Sequence, residues 1–185
     1  MNSKEIILTV LEASGGSVQG KTRLQKVIYF LSILLDVDLN YEPHYFGPYS
    51  GFVDESLMDL TGIGFVKESC TGFGYPDKKG FEYRRFDYEI TPDGNKLLEN
   101  IKEKSEGDYE KVLTAVAELG ELPDYFVLSI AAKIFYVIRE KGEVTRRGFK
   151  EEARKLEWGD IDDGNIDTAL DFLTSRGFVT ITKET

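Results

Sequence analysis

The sequence predicts a mainly α-helical α+β fold in which three helices and a small β-hairpin, or wing, occur twice along the chain. Apolar residues recur at helical spacing through most of its length. A Gly-x-Val pattern stands at residues 16–18 and again at 142–144, and Gly-Phe-Val follows the third predicted helix at residues 64–66 and 177–179. Because three helices followed by a hairpin are typical of the winged helix-turn-helix, we expect two such domains in tandem.

The boundary between the two predicted domains falls where the helical pattern breaks in a short polar segment. The first domain, residues 1–104, has the longer wing, because a β-favouring run over residues 81–90 follows a polar, Gly-rich tip. The second domain, residues 105–185, ends soon after its Gly-Phe-Val. Its wing is therefore either truncated or completed by the short segment at Val144, and we expect its last strand over residues 178–183.

Each helix of the first domain has an identifiable start or stop. The first, over about residues 4–13, ends at a glycine pair. Thr22 opens the second helix, and Gln25 three residues later completes a predicted capping box. Ser50 is a suitable N-cap for the third helix. Thr91, which precedes a proline, begins a helix that we expect to reach the end of the domain. The predicted apolar stripe of the third helix is Phe52, Val53, Leu57 and Leu60.

The second domain begins with a short helix predicted over about residues 109–119. A longer apolar helix follows, and Gly142 stands where its C-cap is expected. After an amphipathic second helix, the third helix of this copy covers about residues 163–175. Trp158, between these two helices, is expected to fill the core of the domain.

The charge balance restricts the classes of partner. The chain has 185 residues, with 23 Lys and Arg against 33 Asp and Glu, and its formal net charge is −10. Neutralising phosphates supplies most nonspecific affinity for nucleic acid, so this surplus of acid argues against a protein that coats DNA or RNA. Both halves of the chain carry the surplus, and it is therefore not confined to a detachable tail.

Composition also excludes common enzyme and membrane classes. Cys70 and His44 are the only cysteine and histidine, which excludes intrachain disulfides and zinc sites built from these ligands. No G-x-x-x-x-G-K-S/T phosphate loop occurs, and no nucleophile elbow supports a Ser-His-Asp arrangement. No apolar run reaches the roughly 20 residues that span a bilayer, and the N-terminus lacks the pattern of a signal peptide. We expect a non-enzymatic cytoplasmic protein with no cofactor, metal or membrane partner.

Two motifs of the first domain resemble a known family. Residues 20–29 contain Leu-Gln-Lys, and residues 44–50 read His-Tyr-Phe-Gly-Pro-Tyr-Ser. Together they resemble the YwgA-like and Panacea/SocA-like proteins over about residues 4–100. The resemblance implies a protein that binds other proteins, as antitoxins and proteolytic adaptors do. Separately, residues 86–98 resemble the wing strand and following helix of PadR- and MarR-type repressors, which implies the fold more than the function.

The third helices oppose conventional operator reading. In a DNA-reading winged helix, this helix supplies Arg, Lys, Asn or Gln to base edges. The first copy has no Lys or Arg over residues 50–60, and both copies carry several aspartates there. Carboxylates facing phosphates repel, so we expect any contact with DNA to be made by the basic residues of the wing. Alternatively, these basic residues are an ordinary solvated surface with no role in binding. The wing cluster comprises Lys67, Lys78, Lys79, Arg84 and Arg85.

The aromatic loop at residues 45–50 has two interpretations. As local structure, its Gly-Pro pair makes a tight turn and its last residue caps a helix. As a functional site, it forms a small pocket or partner surface. The residues predicted for that surface are Arg23, Gln25, His44, Tyr45 and Tyr49.

Two functional hypotheses remain open at this stage. The first is a tandem winged-helix regulator of transcription that binds DNA through its wing, with a homodimer as one arrangement. The second is a protein-binding module of antitoxin or adaptor type that uses winged helices as a scaffold. A hydrolase or nuclease is the least favoured class.

Overall fold

A computed structural model describes residues 1–76 and 82–182. Over these residues the fold is mostly helical with a small antiparallel sheet, so the predicted α+β class is confirmed. Among the described helices, none has the length and apolarity needed to cross a bilayer. The elements in chain order are α1 (Ser3–Ala13), β1 (Ser17–Gln19), α2 (Lys21–Leu34), β2 (Tyr41–Glu42), β3 (Tyr49–Ser50), α3 (Gly51–Gly62), β4 (Val66–Pro76), β5 (Glu82–Ile90), α4 (Pro92–Lys104), α5 (Glu106–Leu119), α6 (Tyr125–Lys141), α7 (Arg146–Lys155) and α8 (Asp163–Ser175).

Most predicted helix ends are confirmed, but the start of α2 is not. The Ser50 and Thr91 side chains accept the N–H groups that cap α3 and α4. The predicted capping box at Thr22 is wrong, because α2 begins at Lys21 behind Gly20, which provides no side-chain cap. The Gln25 side chain instead bonds to the backbone of Ser50, 25 residues away.

The main sheet places β1 beside the long hairpin of β4 and β5, in the order β1-β5-β4. Val18 of β1 lies opposite Tyr88 of β5, and Val66 of β4 lies opposite Ile90. These four side chains are buried on one face of the sheet. Since strand residues alternate between faces, the sheet covers the helical core with one side only.

The second segment of the chain, from α5 onward, packs directly on the first segment, which runs from α1 to α4. α5 packs against α1, α6 packs against α2, and α8 packs against α6. Phe30 of α2 lies 5.7 Å from Phe172 of α8 and 4.9 Å from Phe178, measured between ring centres. The buried apolar residues of both segments form one continuous core. The division into domains at residues 104 and 105 stays a prediction.

Two predictions for the second segment need correction. α5 begins at Glu106, three residues before its predicted start. The predicted last strand is absent over residues 178–182, which are the part of it that the structure describes. Phe178 packs against Phe30 and Phe135 instead, so the apolar side chains at this end fill the helical core.

Candidate functional site

The two motifs of the first segment meet in space. The Gln25 side chain donates to the Ser50 carbonyl and accepts from the Ser50 N–H, both at 3.1 Å. Next to it on α2, Lys26 Nζ donates to the Pro48 carbonyl at 2.6 Å. Tyr41 Oη donates to the Gln25 carbonyl at 3.0 Å. The Leu-Gln-Lys motif therefore holds the backbone of the aromatic loop. The amide of Gln25 and the amine of Lys26, which are consecutive residues, make these contacts.

Ser50 links the loop attachment to α3, because it is also the N-cap of that helix. Its hydroxyl accepts the Val53 N–H at 3.1 Å and donates to the Leu39 carbonyl. The residue is fully buried, so both contacts are shielded from water. Because the residue that caps α3 is itself hydrogen-bonded to Gln25, the start of α3 is attached to α2.

The tip of the loop is bound to the second segment. Ser129 of α6 donates to the Phe46 carbonyl at 2.6 Å, and Trp158 Nε1 donates to the His44 carbonyl at 2.7 Å. Gly47, which follows Phe46, has φ of +92°, and a Cβ there would lie 3.0 Å from Lys133 Cγ. The turn therefore requires glycine for both its conformation and its close approach to α6.

Two buried lysines stand on either side of this turn. Lys26 is 1% exposed, and burial followed by the nearby charge of Lys133 lowers its pKa to about 7. Lys133 is 8% exposed, and burial lowers its pKa to about 8. Its Nζ lies 5.4 Å from the centre of the Trp158 ring. In the described part of the chain, no carboxylate forms an ion pair with either amine.

The aromatic tip, which we define as Tyr45 and Phe46, points to solvent. Tyr45 is 67% exposed, and its ring meets that of Phe46 edge to face at 4.9 Å. Behind the tip, the His44 ring lies 5.0 Å from the Tyr49 ring. Burial and a hydrogen bond with Asp54 raise the pKa of Tyr49. The loop thus presents two aromatic rings on a backbone that is fixed at both ends.

The exposed side of α3 is apolar as well as acidic. Phe52 is 55% exposed and Met58 is 65% exposed, so the prediction that Phe52 belongs to the buried stripe is wrong. Val53, Leu57 and Leu60 are buried as predicted. Successive helical residues are separated by about 100°, which turns Phe52 away from Val53 and the core. We call this exposed side the α3 face: Phe52, Glu55, Met58 and Ile63.

The carboxylates of α3 differ in their partners. Asp54 binds Lys21 of α2, and Asp59 binds Lys4 of α1, each at 2.7 Å. Glu55 forms no ion pair with any residue that the structure describes. The α3 face therefore keeps one carboxylate among apolar side chains, while its other acids fasten the helix to the fold.

The wing cluster is divided between the two faces of its hairpin. Strand alternation puts Arg84 on the face of Tyr88, and puts Arg85 on the opposite face with Lys67. Arg85 forms an ion pair with Asp87 at 2.9 Å. Lys78 and Lys79 lie outside the described residues.

The basic residues of α7 form ion pairs within the chain. Lys150 of α7 binds Asp163 of α8 at 2.8 Å, and Arg146 bridges the same carboxylate and that of Asp167. Arg154 binds Asp160 at 2.9 Å. The acids of α8 thus pair with the cations of α7, an arrangement that spacing along the sequence cannot reveal.

Of the predicted partner surface, the structure brings together His44, Tyr45 and Tyr49. Gln25 is buried beneath them and supports the loop from inside. Arg23 lies apart, where its guanidinium donates to the Pro123 carbonyl at 3.3 Å. Sequence reasoning missed Ser129, Lys133 and Trp158 as supports of the loop, because each is more than 80 residues distant along the chain. No group of three metal-ligating side chains occurs among the described residues.

Comparison with known proteins gives one curated relative. The chain is 30% identical over 91 residues to the uncharacterized protein YwgA of Bacillus subtilis (strain 168). The match covers 48% of this chain and 49% of that protein, so the chain spans about half the length of its relative. No family model matches the chain. The match supports the expected YwgA-like relatedness, and the Panacea/SocA-like part of the resemblance stays a prediction.

Proposed function

We propose that this protein is a non-enzymatic protein-binding module on a winged-helix scaffold, and that its partner docks on the α3 face and the aromatic tip. One observation carries the proposal. The helix that a DNA reader would insert into the major groove exposes Phe52 and Met58, is followed by the exposed Ile63, and has no Lys or Arg. Exposed apolar side chains that cluster between polar ones are typical of protein-binding surfaces.

The scaffold part of the proposal is a winged helix in the first segment and a three-helix unit of the same order in the second, where no described residue forms a wing strand. The order α1, β1, α2, α3, β4, β5 and the sheet order β1-β5-β4 support it for the first segment. In the second segment, α6, α7 and α8 repeat the helices, and the predicted Gly-x-Val stands between α6 and α7. The expected class of activity is that of an antitoxin or a proteolytic adaptor, which acts by occupying another protein.

The chemistry of the α3 face restricts the partner. Glu55 lies among its apolar side chains, and the chain as a whole carries a net charge of −10. A complementary surface has an apolar centre bordered by Lys or Arg, since like charges would repel at the rim. Met58 and the aromatic side chains belong to the residue types that are enriched at interfaces, so we expect them to supply most of the affinity.

DNA-associated regulation through the wing is the second candidate. Arg84 and Arg85 are exposed on a hairpin whose strands reach Pro76 and Glu82. Such a wing can hold phosphates without reading bases. This candidate is weaker, because the α7 cations are paired with α8 and the third helices are acidic.

Affinity capture with matched variants tests the proposal. Wild-type protein, Met58→Glu and Lys67→Glu are used as baits in lysate of the source cells, after circular dichroism has confirmed that each is folded. We expect one partner to bind wild type and Lys67→Glu, and to bind Met58→Glu about 30-fold more weakly, because loss of an interface hot spot costs about 2 kcal/mol. Hydrogen exchange on the purified complex should then slow at the α3 face.

Two results would contradict it. Equal retention of every partner by Met58→Glu would remove the α3 face from the interface. Salt-dependent binding to random duplex DNA at about 50 mM salt, lost after Arg84→Glu and Arg85→Glu, would instead support the wing as the functional surface.

A further inference from the structure

A groove separates β1 from the end of α5, and none of its lining residues belongs to the α3 face. Its volume is 560 Å³, which is within the usual range for ligand sites. Its floor is apolar and comes from both helical segments: Val27, Val116, Leu119 and Leu122. Tyr125, at the start of α6, stands at its rim.

One wall of the groove is the free edge of the sheet, because β1 is an outer strand. The Ile90 N–H donates to the Gly16 carbonyl at 2.9 Å, which fixes the phase of the antiparallel ladder. Every second residue of β1 therefore bonds to β5, so Val18 does and its neighbours Ser17 and Gln19 do not. Their N–H and C=O groups point away from β5, and no hydrogen bond between described residues uses them.

A guanidinium stands over the same groove. Arg23 is half-buried, donates to the Pro123 carbonyl, and forms no ion pair with a carboxylate of the described chain. Arg85 also lines the groove, but Asp87 already binds it at 2.9 Å. Arg23 is therefore the cation best placed to meet an incoming anion.

We infer that this groove binds an extended peptide that adds to the free edge of β1, lays alternate apolar side chains on the floor, and sets a carboxylate against Arg23. β1 spans three residues, or about 10 Å of strand, so the edge holds a segment of about three or four residues. A peptide is the one occupant that satisfies the strand edge, the apolar floor and the cation together. Strand addition of this kind takes affinity from the backbone and specificity from alternate pockets.

The site is independent of the proposed function, and the experiment keeps the two apart. A random hexapeptide library with free C-termini is selected on the wild-type protein and depleted on Arg23→Glu. We expect enriched peptides with alternating apolar residues, which bind Arg23→Glu about 30-fold more weakly, since truncating one member of a partly buried charge pair typically costs 2 kcal/mol or more. Met58→Glu serves as the matched control and should bind them as wild type does.

Chemical variants of the enriched peptides test each contact. Amidation of the C-terminus and replacement of internal Glu by Gln identify which carboxylate meets Arg23. N-methylation of every second residue should abolish binding when the methylated N–H groups face β1. Methylation of the other residues should spare binding, because their N–H groups point away from β1. The inference is overturned if no peptide is enriched on wild type over Arg23→Glu, if both methylation phases are tolerated, or if Met58→Glu loses the binding.

Discussion

α3 and α8 are each the third helix of a predicted unit, and both are acidic, but their exposed sides differ in chemistry. The exposed side of α8 carries polar residues, among them Asp167 and Asp171. The exposed side of α3 carries Phe52 and Met58. Two helices that are equivalent in the predicted repeat therefore offer solvent different surfaces, although their charges are similar.

The difference teaches that the same number of carboxylates serves a different purpose on α8 and on α3. On α8, Asp163 neutralises Arg146 and Lys150 of the neighbouring helix. On α3, Asp54 and Asp59 attach the helix to α2 and α1, and the remaining exposed side is left apolar around one glutamate. The first arrangement neutralises cations of the neighbouring helix, whereas the second attaches α3 to α2 and α1 and leaves Phe52 and Met58 exposed.

The first way to test this comparison is to remove the N-cap of each helix. Ser50→Ala should lower the free energy of unfolding by about 3 kcal/mol, because it removes a cap and leaves the buried Leu39 carbonyl without its donor. Asp162→Ala should cost only about 1 kcal/mol, since Asp162 is exposed and caps α8 alone. Urea denaturation followed by circular dichroism measures both.

Ser50→Thr is the control for the first cap, because it keeps the hydroxyl. It should recover part of the loss, limited by the space for an added methyl group in a buried site. Equal losses for the two alanine variants would mean that α3 is held no more firmly than α8, and the comparison would fail there.

The caps also show how much the sequence could predict. Ser50 and Thr91 were predictable because a cap acts on residues three positions away. The exposure of Phe52 depends on which side of α3 packs on the core. The partner of Gln25 was not predictable, because it lies 25 residues away along the chain. The same holds for the loop tip, whose supports Ser129 and Trp158 belong to the second segment. The sequence therefore identifies the two motifs of the candidate site, but only the structure shows that the Leu-Gln-Lys motif binds the backbone of the aromatic loop.

The second test compares the lysine buried on α2 with the exposed cations of α7. The pKa of Lys26 is about 7 in the folded protein, and an unfolded lysine has a pKa near 10.5. Between these values the unfolded chain binds more protons, so raising the pH stabilises the fold. We expect the free energy of unfolding to gain about 2 kcal/mol from Lys26 between pH 7 and 9, at up to about 1.4 kcal/mol per pH unit.

Lys26→Met isolates this contribution. The variant should show a flatter rise over the same pH interval, and the part that persists should come from Lys133, whose pKa is about 8. Lys155→Met on α7 is the matched control, and it should follow wild type because Lys155 is exposed and paired with Glu152. If the free energy of unfolding rose equally with pH in wild type and Lys26→Met, the lowered pKa of the buried Lys26 amine would be contradicted.

The smallest expected effect concerns the acids of α8. Asp163→Asn with Asp167→Asn removes the carboxylates that bind Arg146 and Lys150, so these cations become available to phosphate. Affinity for random duplex DNA at low salt should rise by about two- to threefold, and the gain should disappear as salt screens it. Glu55→Gln on α3 should leave duplex binding unchanged, because no ion pair joins Glu55 to the described chain. Fluorescence polarisation measures all three proteins, and a similar gain from Glu55→Gln would show that total charge, rather than the pairing of α8 with α7, controls contact with DNA.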